Sequence, residues 1–300
     1  MYPLSGSSPD LSTKYVNIVS FLDFYEILFY PKVVKNIIST LIPAVLEAGR
    51  KAREGQSNVS HTYKEDGSVL TRFDTELNEF LCNQISEKFP EANIVSEEKS
   101  TTYIPGRDYT FTIDPIDGTD SYSQGLPGWC VAVGLLDADL LPIGGIIYAP
   151  RWSSSSSEET LVVAEVGKKP TLNGQQITLD MEYEEAPEQS QLMISSILHK
   201  SFSIRKFRGK IRYTGCAVLN LLSIPLYKNI TTALLTPLHI WDIAAAHAVL
   251  RSLGLTLDYF SGRAVSYADL VNREVTEELI IAGSTKSISM IRNIVTPLDG

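Results

Sequence analysis

Four acidic side chains, Glu97, Asp114, Asp117 and Asp242, stand in settings that suit divalent cations. The densest group lies in Thr112-Ile-Asp-Pro-Ile-Asp-Gly-Thr119, where Asp114 and Asp117 are three residues apart. The alternating run Tyr109 to Ile113 reads as a strand that delivers Asp114, and Pro115 biases that residue toward an extended backbone. A turn brings Asp117 to the same point, and Gly118 permits a tight conformation there. Two close carboxylates repel each other unless cations lie between them, and all-oxygen ligands suit magnesium or manganese. Thr119 precedes Asp120-Ser121, where a helix could begin, and amides at a helix N-terminus seat phosphate. Glu97 and Glu98 follow the strand-like run Asn93 to Ser96. Paired glutamates are common on surfaces; their place at a strand end, just ahead of the Asp114 strand, makes them candidates. Trp241-Asp242-Ile-Ala-Ala-Ala246 sets Asp242 at the start of an apolar helix, where an acid also caps, and the small residues after it allow close packing. Asp74 has the same double reading, since it suits the first turn of its own helix.

These residues need elements to place them. Up to Gly49 the chain reads as two helices separated by Pro31. In the second, Val33, Val34, Ile37, Ile38, Leu41, Val45 and Leu46 fall at helical spacing, Pro43 interrupts and Gly49 is a stop signal. A polar loop spans Glu54 to Ser68. Thr71 to Phe89 is an amphipathic helix ended by Pro90. Cys130 to Leu136, Pro142 to Tyr148 and Leu161 to Glu165 read as strands, and Asn173-Gly174 as a tight turn. Ser153 to Ser157 is a low-complexity loop expected to be mobile. The acidic stretch Met181 to Ser190 marks a boundary between an N-terminal half, 1–185, carrying the metal site and a C-terminal half, 186–300. In the second half, strand-like runs (Leu192 to Ile197, Thr232 to Leu235, Leu279 to Ala282) alternate with helical ones (Val218 to Leu222, Ile243 to Leu253, Lys286 to Ile294). The mixture predicts layered sheets and helices of α+β or α/β type.

The 300 residues carry 26 basic and 35 acidic side chains, a net charge of -9. Such a surface repels nucleic acid and anionic membranes, so neither is expected as a partner. It also repels a phosphorylated substrate, which makes local cations necessary for any chemistry on phosphate. Three cysteines, Cys82, Cys130 and Cys216, without CxxC spacing fit a reducing compartment. The N-terminus lacks the pattern of a secretory signal, and Val16 to Leu41 is too interrupted by charges and Pro31 to span a bilayer. A cytoplasmic location is therefore expected.

Taken together, the motifs resemble those of the inositol monophosphatase superfamily, the lithium-sensitive, magnesium-dependent sugar-phosphate and nucleotide phosphatases. The resemblance runs from about Ala44 to about Gly262 and rests on Ile113-Asp-Pro-Ile-Asp-Gly-Thr119 and Trp241-Asp-Ile-Ala-Ala245. Glu97-Glu98, Lys64-Glu-Asp-Gly-Ser-Val-Leu-Thr-Arg-Phe-Asp74 and Gly215-Cys-Ala-Val-Leu-Asn220 stand in the expected order. It implies a layered α-β-α-β-α sandwich, commonly a homodimer, acting as a phosphoric monoester hydrolase on a small phosphorylated metabolite. It further implies two or three magnesium ions, with manganese as a substitute. Glu97, Asp114 and the Ile116 carbonyl resemble the ligands of a first ion. Asp114, Asp117 and Asp242 resemble those of a second, where lithium competes. Asp74, Glu97 and Thr119 would orient a metal-activated water that attacks phosphorus directly, and the Gly118 and Thr119 amides would hold the phosphate. Asp120, Ser121, Gly215 and Cys216 would face the substrate.

The chain also departs from the family pattern. Inositol-preferring members carry a glutamate several residues before the Trp-Asp motif; here Leu235 stands near that place and no acid is available. A missing acceptor weakens the grip on a polyol. After Gly118-Thr119 the chain reads Asp120-Ser121-Tyr122, somewhat closer to a histidinol-phosphate phosphatase than to inositol-type or nucleotide-type members. Alternatives on the same fold are therefore a 3'(2'),5'-bisphosphate nucleotidase and a histidinol-phosphate phosphatase. The alternative of another class is a non-catalytic binder of a phosphorylated ligand. Residues 1–30 have no counterpart and are expected to form an extra helical extension. His239 and His247, which flank Asp242, are expected to pack rather than bind zinc.

Overall fold

The computed structural model describes residues 36–153, 159–180 and 188–298. The expected N-terminal extension, most of the Ser153–Ser157 loop and residues 181–187 of the expected boundary lie outside the described residues. Ile37–Gly55 forms α1, which runs through both Pro43 and Gly49. Gly49 is no stop: a Cβ there would lie 2.3 Å from the Tyr148 ring, so the glycine serves close packing inside the helix. The stretch Glu54 to Ser68, expected to be a loop, holds half of a hairpin. His61–Tyr63 (β1) pairs with Val69–Thr71 (β2) around a turn closed by Lys64 and Ser68. Arg72–Lys88 is α2; the Thr71 hydroxyl accepts from the Phe73 amide, and Asp74 completes the capping box.

Asn93–Ser96 (β3) and Thr110–Asp117 (β4) run parallel, and β4 continues past Ile113 to Asp117. The short helix Thr119–Ser123 (α3) follows, then the antiparallel strands Cys130–Leu136 (β5), Pro142–Ala149 (β6), Thr160–Ala164 (β7), Thr171–Leu172 (β8) and Gln175–Gln176 (β9). Together β3 to β9 form a seven-stranded sheet in sequence order, and Asn173-Gly174 turns β8 into β9 with φ of 49° and 81°. Downstream come Gln191–Ile194 (β10), Phe202–Ser203 (β11), Lys210–Arg212 (β12), Ala217–Leu226 (α4), Ile230–Leu235 (β13) and Ile240–Ser252 (α5). Thr256–Tyr259 (β14), Tyr267–Leu270 (α6), Ile280–Gly283 (β15), Thr285–Ile294 (α7) and Thr296–Pro297 (β16) complete the chain. The second sheet has the order β12-β10-β13-β15-β14, and β11 pairs with β16 beside it.

The period of two along each buried strand builds five layers. On β5, Val131, Val133 and Leu135 face a cluster with α1 and α2, whereas Cys130, Ala132 and Leu136 face α4 and α5. On β13, Ala233 and Leu235 face the same central helices, whereas Leu234 joins Ile288 and Ile291 of α7 on the outer side. The result is the α-β-α-β-α sandwich that the family resemblance implies. Helix α5 lies unusually close to the first sheet: a Cβ on Gly145 would meet the Ala245 carbonyl oxygen at 2.5 Å. Small residues on both sides, Gly134 and Gly145 against Ala244 and Ala245, thus let α5 pack closely on β5 and β6. Among the described residues no helix is long and apolar enough to cross a membrane.

Candidate metal centre

The centre forms where β4 ends. The register slips between Asp114, opposite Ala132, and Asp117, opposite Cys130, and this irregularity turns both acids to one point. Asp114 Oδ1 accepts from the Ile116 amide at 3.0 Å. Gly118 follows at φ 90°, and a Cβ there would lie 2.7 Å from the Gly128 carbonyl oxygen, so only glycine fits. Asp117 is fixed from outside its own strand. Its Oδ1 accepts from Ala217 N at 3.1 Å, and its Oδ2 from Val218 N at 2.6 Å and Cys216 Sγ at 2.9 Å. These donors form the N-terminus of α4, which favours a carboxylate there.

Asp242 enters from α5, where its Oδ2 accepts from His239 N at 2.8 Å. The capping role and the site role therefore belong to one side chain. Oxygen atoms of Asp114, Asp117 and Asp242 all lie within 4.8 Å of one another. Burial pushes all three carboxyls above the usual carboxylate range, and the charges of Glu97, Asp117 and Asp242 push Asp114 further. The donor set is all oxygen, and each neighbouring charge named for Asp114 is negative. Divalent cations placed among these acids would reverse the penalty, so the residues present fit hard metal ions.

Glu97 and Asp74 complete the surround. Glu97 follows β3, and its carboxylate meets Lys64 Nζ at 2.7 Å; Glu98 meets the same ammonium at 2.5 Å. Burial, offset by Lys64 and reinforced by Glu98, raises the Glu97 carboxyl to about 7. Asp74 Oδ2 accepts from the amide and hydroxyl of Thr71, which leaves Oδ1 for the Thr119 hydroxyl at 2.9 Å. Thr119 Oγ1 also lies 2.9 Å from the Ile116 carbonyl oxygen. The structure thus brings Asp74, Asp114, Ile116, Asp117, Gly118, Thr119 and Asp242 into one neighbourhood, with Glu97 acting on Asp114.

The residues expected to face substrate are arranged unequally. Gly215 (φ 89°) and Cys216 back onto Gly118 and Ser121, and Ser121 is buried, whereas Asp120 is exposed on α3. Leu235 is fully buried among the central helices. His239 stacks on Trp241 and His247 Nδ1 meets the Tyr267 hydroxyl at 3.0 Å, both packing arrangements.

Sequence reasoning missed Arg273. Its guanidinium donates to the carbonyls of Ser96, Glu97 (2.7 Å) and Lys99 (2.9 Å), and it lies over the Trp241 ring at 5.0 Å. One side chain thus ties the Glu97 segment to the start of α5. No local signal marks it, because the carbonyls it binds are more than 170 residues away. The thiol bond from Cys216 to Asp117 was equally invisible.

With this geometry in place, similarity to known proteins becomes decisive. The profile of the "Inositol monophosphatase family" matches residues 33–293. The chain belongs to the inositol monophosphatase family. It is accordingly a phosphoric monoester hydrolase of a metal-dependent family. Similar curated proteins include the 3'(2'),5'-bisphosphate nucleotidase CysQ of Buchnera aphidicola, 25% identical over 78% of this chain and 90% of that protein. Inositol monophosphatase 3 of Solanum lycopersicum is 24% identical over 74% of this chain and 85% of its own. A solved IMPase/NADP phosphatase complexed with NADP and Ca2+ superposes with a TM-score of 0.73 at 16% identity, covering 88% of this chain and 97% of that one; it shares the fold.

Proposed function

We propose that the chain is a magnesium-dependent phosphatase that hydrolyses a small soluble phosphate monoester at the Asp114–Asp117–Asp242 centre. The carrying observation is the convergence of three carboxylates whose burial and mutual repulsion call for cations. Glu97, Asp114, Asp117, Asp242 and the Ile116 carbonyl would hold two or three magnesium ions, with manganese able to replace them. When bound, the ions supply Lewis acidity and lower the pKa of coordinated water.

The protein's own groups do the rest. The Thr119 hydroxyl, poised between Asp74 Oδ1 and the Ile116 carbonyl, orients the attacking water together with Glu97. Its single proton serves one acceptor at a time, so its oxygen lone pairs remain free to accept from that water. The backbone amides of Gly118 and Thr119, at the turn that only glycine can make, hold the phosphate oxygens where charge develops. Asp117 stays aligned through its three donors from α4.

Leu235, buried where inositol-preferring members have an acid, favours a second reading: a nucleotide or other phosphate ester whose leaving group needs no such grip. Lithium competition at the Asp242 ion, a homodimer and a cytoplasmic location belong to the same proposal, supported by family resemblance, as is the absence of nucleic-acid partners by the net charge of -9.

The test is phosphate release from inositol 1-phosphate, 3'-phosphoadenosine 5'-phosphate, fructose 1,6-bisphosphate, histidinol phosphate and glycerol 2-phosphate. Each is run with magnesium, with chelator, and with magnesium plus lithium. The expected result is magnesium-dependent, lithium-suppressed release, with inositol 1-phosphate not the preferred ester. Release that persists in chelator would overturn the metal chemistry.

A further inference from the structure

Two thiols lie beside the centre, and the reaction uses them only through the Cys216 bond that aligns Asp117. Cys130 on β5 and Cys216 at the start of α4 are buried free thiols with their sulfur atoms 3.7 Å apart. Asp117, Cys130 and Cys216 each present a ligand atom within 4.8 Å of the other two. Two thiolates held at about 2.3 Å on one tetrahedral zinc ion stand about 3.8 Å apart, so the sulfurs already have the required spacing. The Leu219 amide donates to Cys216 Sγ at 3.3 Å, and the sulfur sits at the N-terminus of the ten-residue helix α4. Both features favour the Cys216 thiolate. Burial nonetheless pushes both thiols up, so they stay protonated until an incoming ion displaces their protons.

We propose that Cys130, Cys216 and Asp117 form an inhibitory site for a soft divalent ion of the zinc class. Hard magnesium avoids thiolates, whereas zinc and cadmium prefer them. Asp117 therefore stands between a hard, all-oxygen centre and a soft, sulfur-rich one, and it cannot serve both in one geometry. On binding, the two S–H bonds break, both protons pass to solvent, and two metal–sulfur bonds form without any change of oxidation state. The S–H bond to Asp117 Oδ2 is lost in the same step, and the carboxylate turns toward the soft ion. Inhibition rests on the proposed role of Asp117 in the magnesium centre; metal binding by the thiols does not.

The experiment uses the full chain in a non-thiol reductant, with cadmium as the spectroscopic probe and zinc in the assay. Cadmium should produce a sulfur-to-metal charge-transfer band that saturates at one ion per chain. The band should vanish in Cys130→Ala and Cys130→Val and persist in Cys82→Ala. Magnesium-supported turnover of Cys130→Ala should be unchanged, while the zinc concentration for half-inhibition rises at least about tenfold, the lower end of what loss of a supporting group costs a metal site. Equal zinc sensitivity in folded Cys130→Ala and the parent chain overturns the proposal, as does an unchanged cadmium band. Cadmium NMR of the unaltered chain counts bound sulfurs without any variant: two support the site, and one or none overturn it. Two bound sulfurs in a chain without magnesium-dependent turnover would leave the thiol site standing and count against the proposed reaction instead.

Discussion

The Asp114–Thr119 turn and the Glu97 strand end face the same centre, yet different kinds of contact secure them. The turn is fixed by backbone: the Ile116 amide on Asp114, the α4 amides on Asp117, and a glycine at φ 90° that no side chain could replace. Glu97 is steadied by long cationic side chains that arrive from elsewhere, Lys64 on its carboxylate and Arg273 on its carbonyl. Backbone donors lose little freedom when they bind, whereas a lysine or arginine sacrifices about 2 kcal/mol of rotamer entropy to hold one geometry. The first arm is therefore preorganised by the fold itself. The second depends on residues that a single substitution removes without touching a ligand.

The largest expected effect breaks the rigid arm. Asp114→Asn should lower turnover about a thousandfold, which corresponds to roughly 4 kcal/mol of lost transition-state stabilisation. Without metal the variant should be no less stable than the parent chain, because burial and three neighbouring carboxylates already disfavour the charge at Asp114. Turnover in saturating magnesium and thermal unfolding in chelator together check this. Near-normal turnover would remove Asp114 from the centre.

Legibility in the sequence follows the same division. The strand, turn and acids of β4 to α3 are contiguous, so a short window contains both the chemistry and the backbone that presents it. The five-layer order was legible only through the family resemblance, because β5 and β13 are buried at every position and show in the structure alone which side chain faces which layer. Gly49 reads as a stop for α1, yet its role is to admit the Tyr148 ring from β6. The β1–β2 hairpin was hidden because β1 is exposed at every position and carries no apolar alternation. Arg273 was hidden twice over. Its partners are remote in the chain, and its φ of 71° is a conformation that sequence normally announces with glycine.

A second, smaller effect concerns how α5 keeps Asp242 in place. His247, one turn beyond Asp242, bonds the Tyr267 hydroxyl, and burial together with Arg251 lowers its pKa to about 4. The neutral ring is favoured in the fold, so the unfolded chain takes up the proton first as the solution is acidified. Stability from this group is present above pH 6.5, the ordinary value, and is lost as pH falls toward 4. Between neutrality and pH 5 the loss should be about 2 kcal/mol at most. His247→Gln, which keeps a partner for Tyr267 but does not titrate, should show a correspondingly flatter fall in urea-unfolding stability across that range. Parallel profiles for the two chains would mean that His247 does not control the acid sensitivity of α5.

The smallest effect sharpens the comparison most, because it weakens only the side-chain arm. Arg273→Gly relieves the left-handed backbone at φ 71° and deletes the guanidinium that joins the Glu97 segment to Trp241. The turn should therefore survive while the clamp is lost. Magnesium affinity, measured by calorimetry without substrate, should fall about tenfold, the lower end of what loss of a supporting group costs a metal site. Turnover at saturating magnesium should stay close to normal, since Asp114, Asp117 and Asp242 keep their own supports. Arg273→Lys retains charge and stem but not the three-carbonyl fork, so its affinity should lie between the glycine variant and the parent chain. Added guanidinium at low concentration should restore part of the loss in Arg273→Gly alone. Unchanged affinity in both variants would show that Glu97 is as preorganised as the turn opposite it, and that the two arms do not differ in kind.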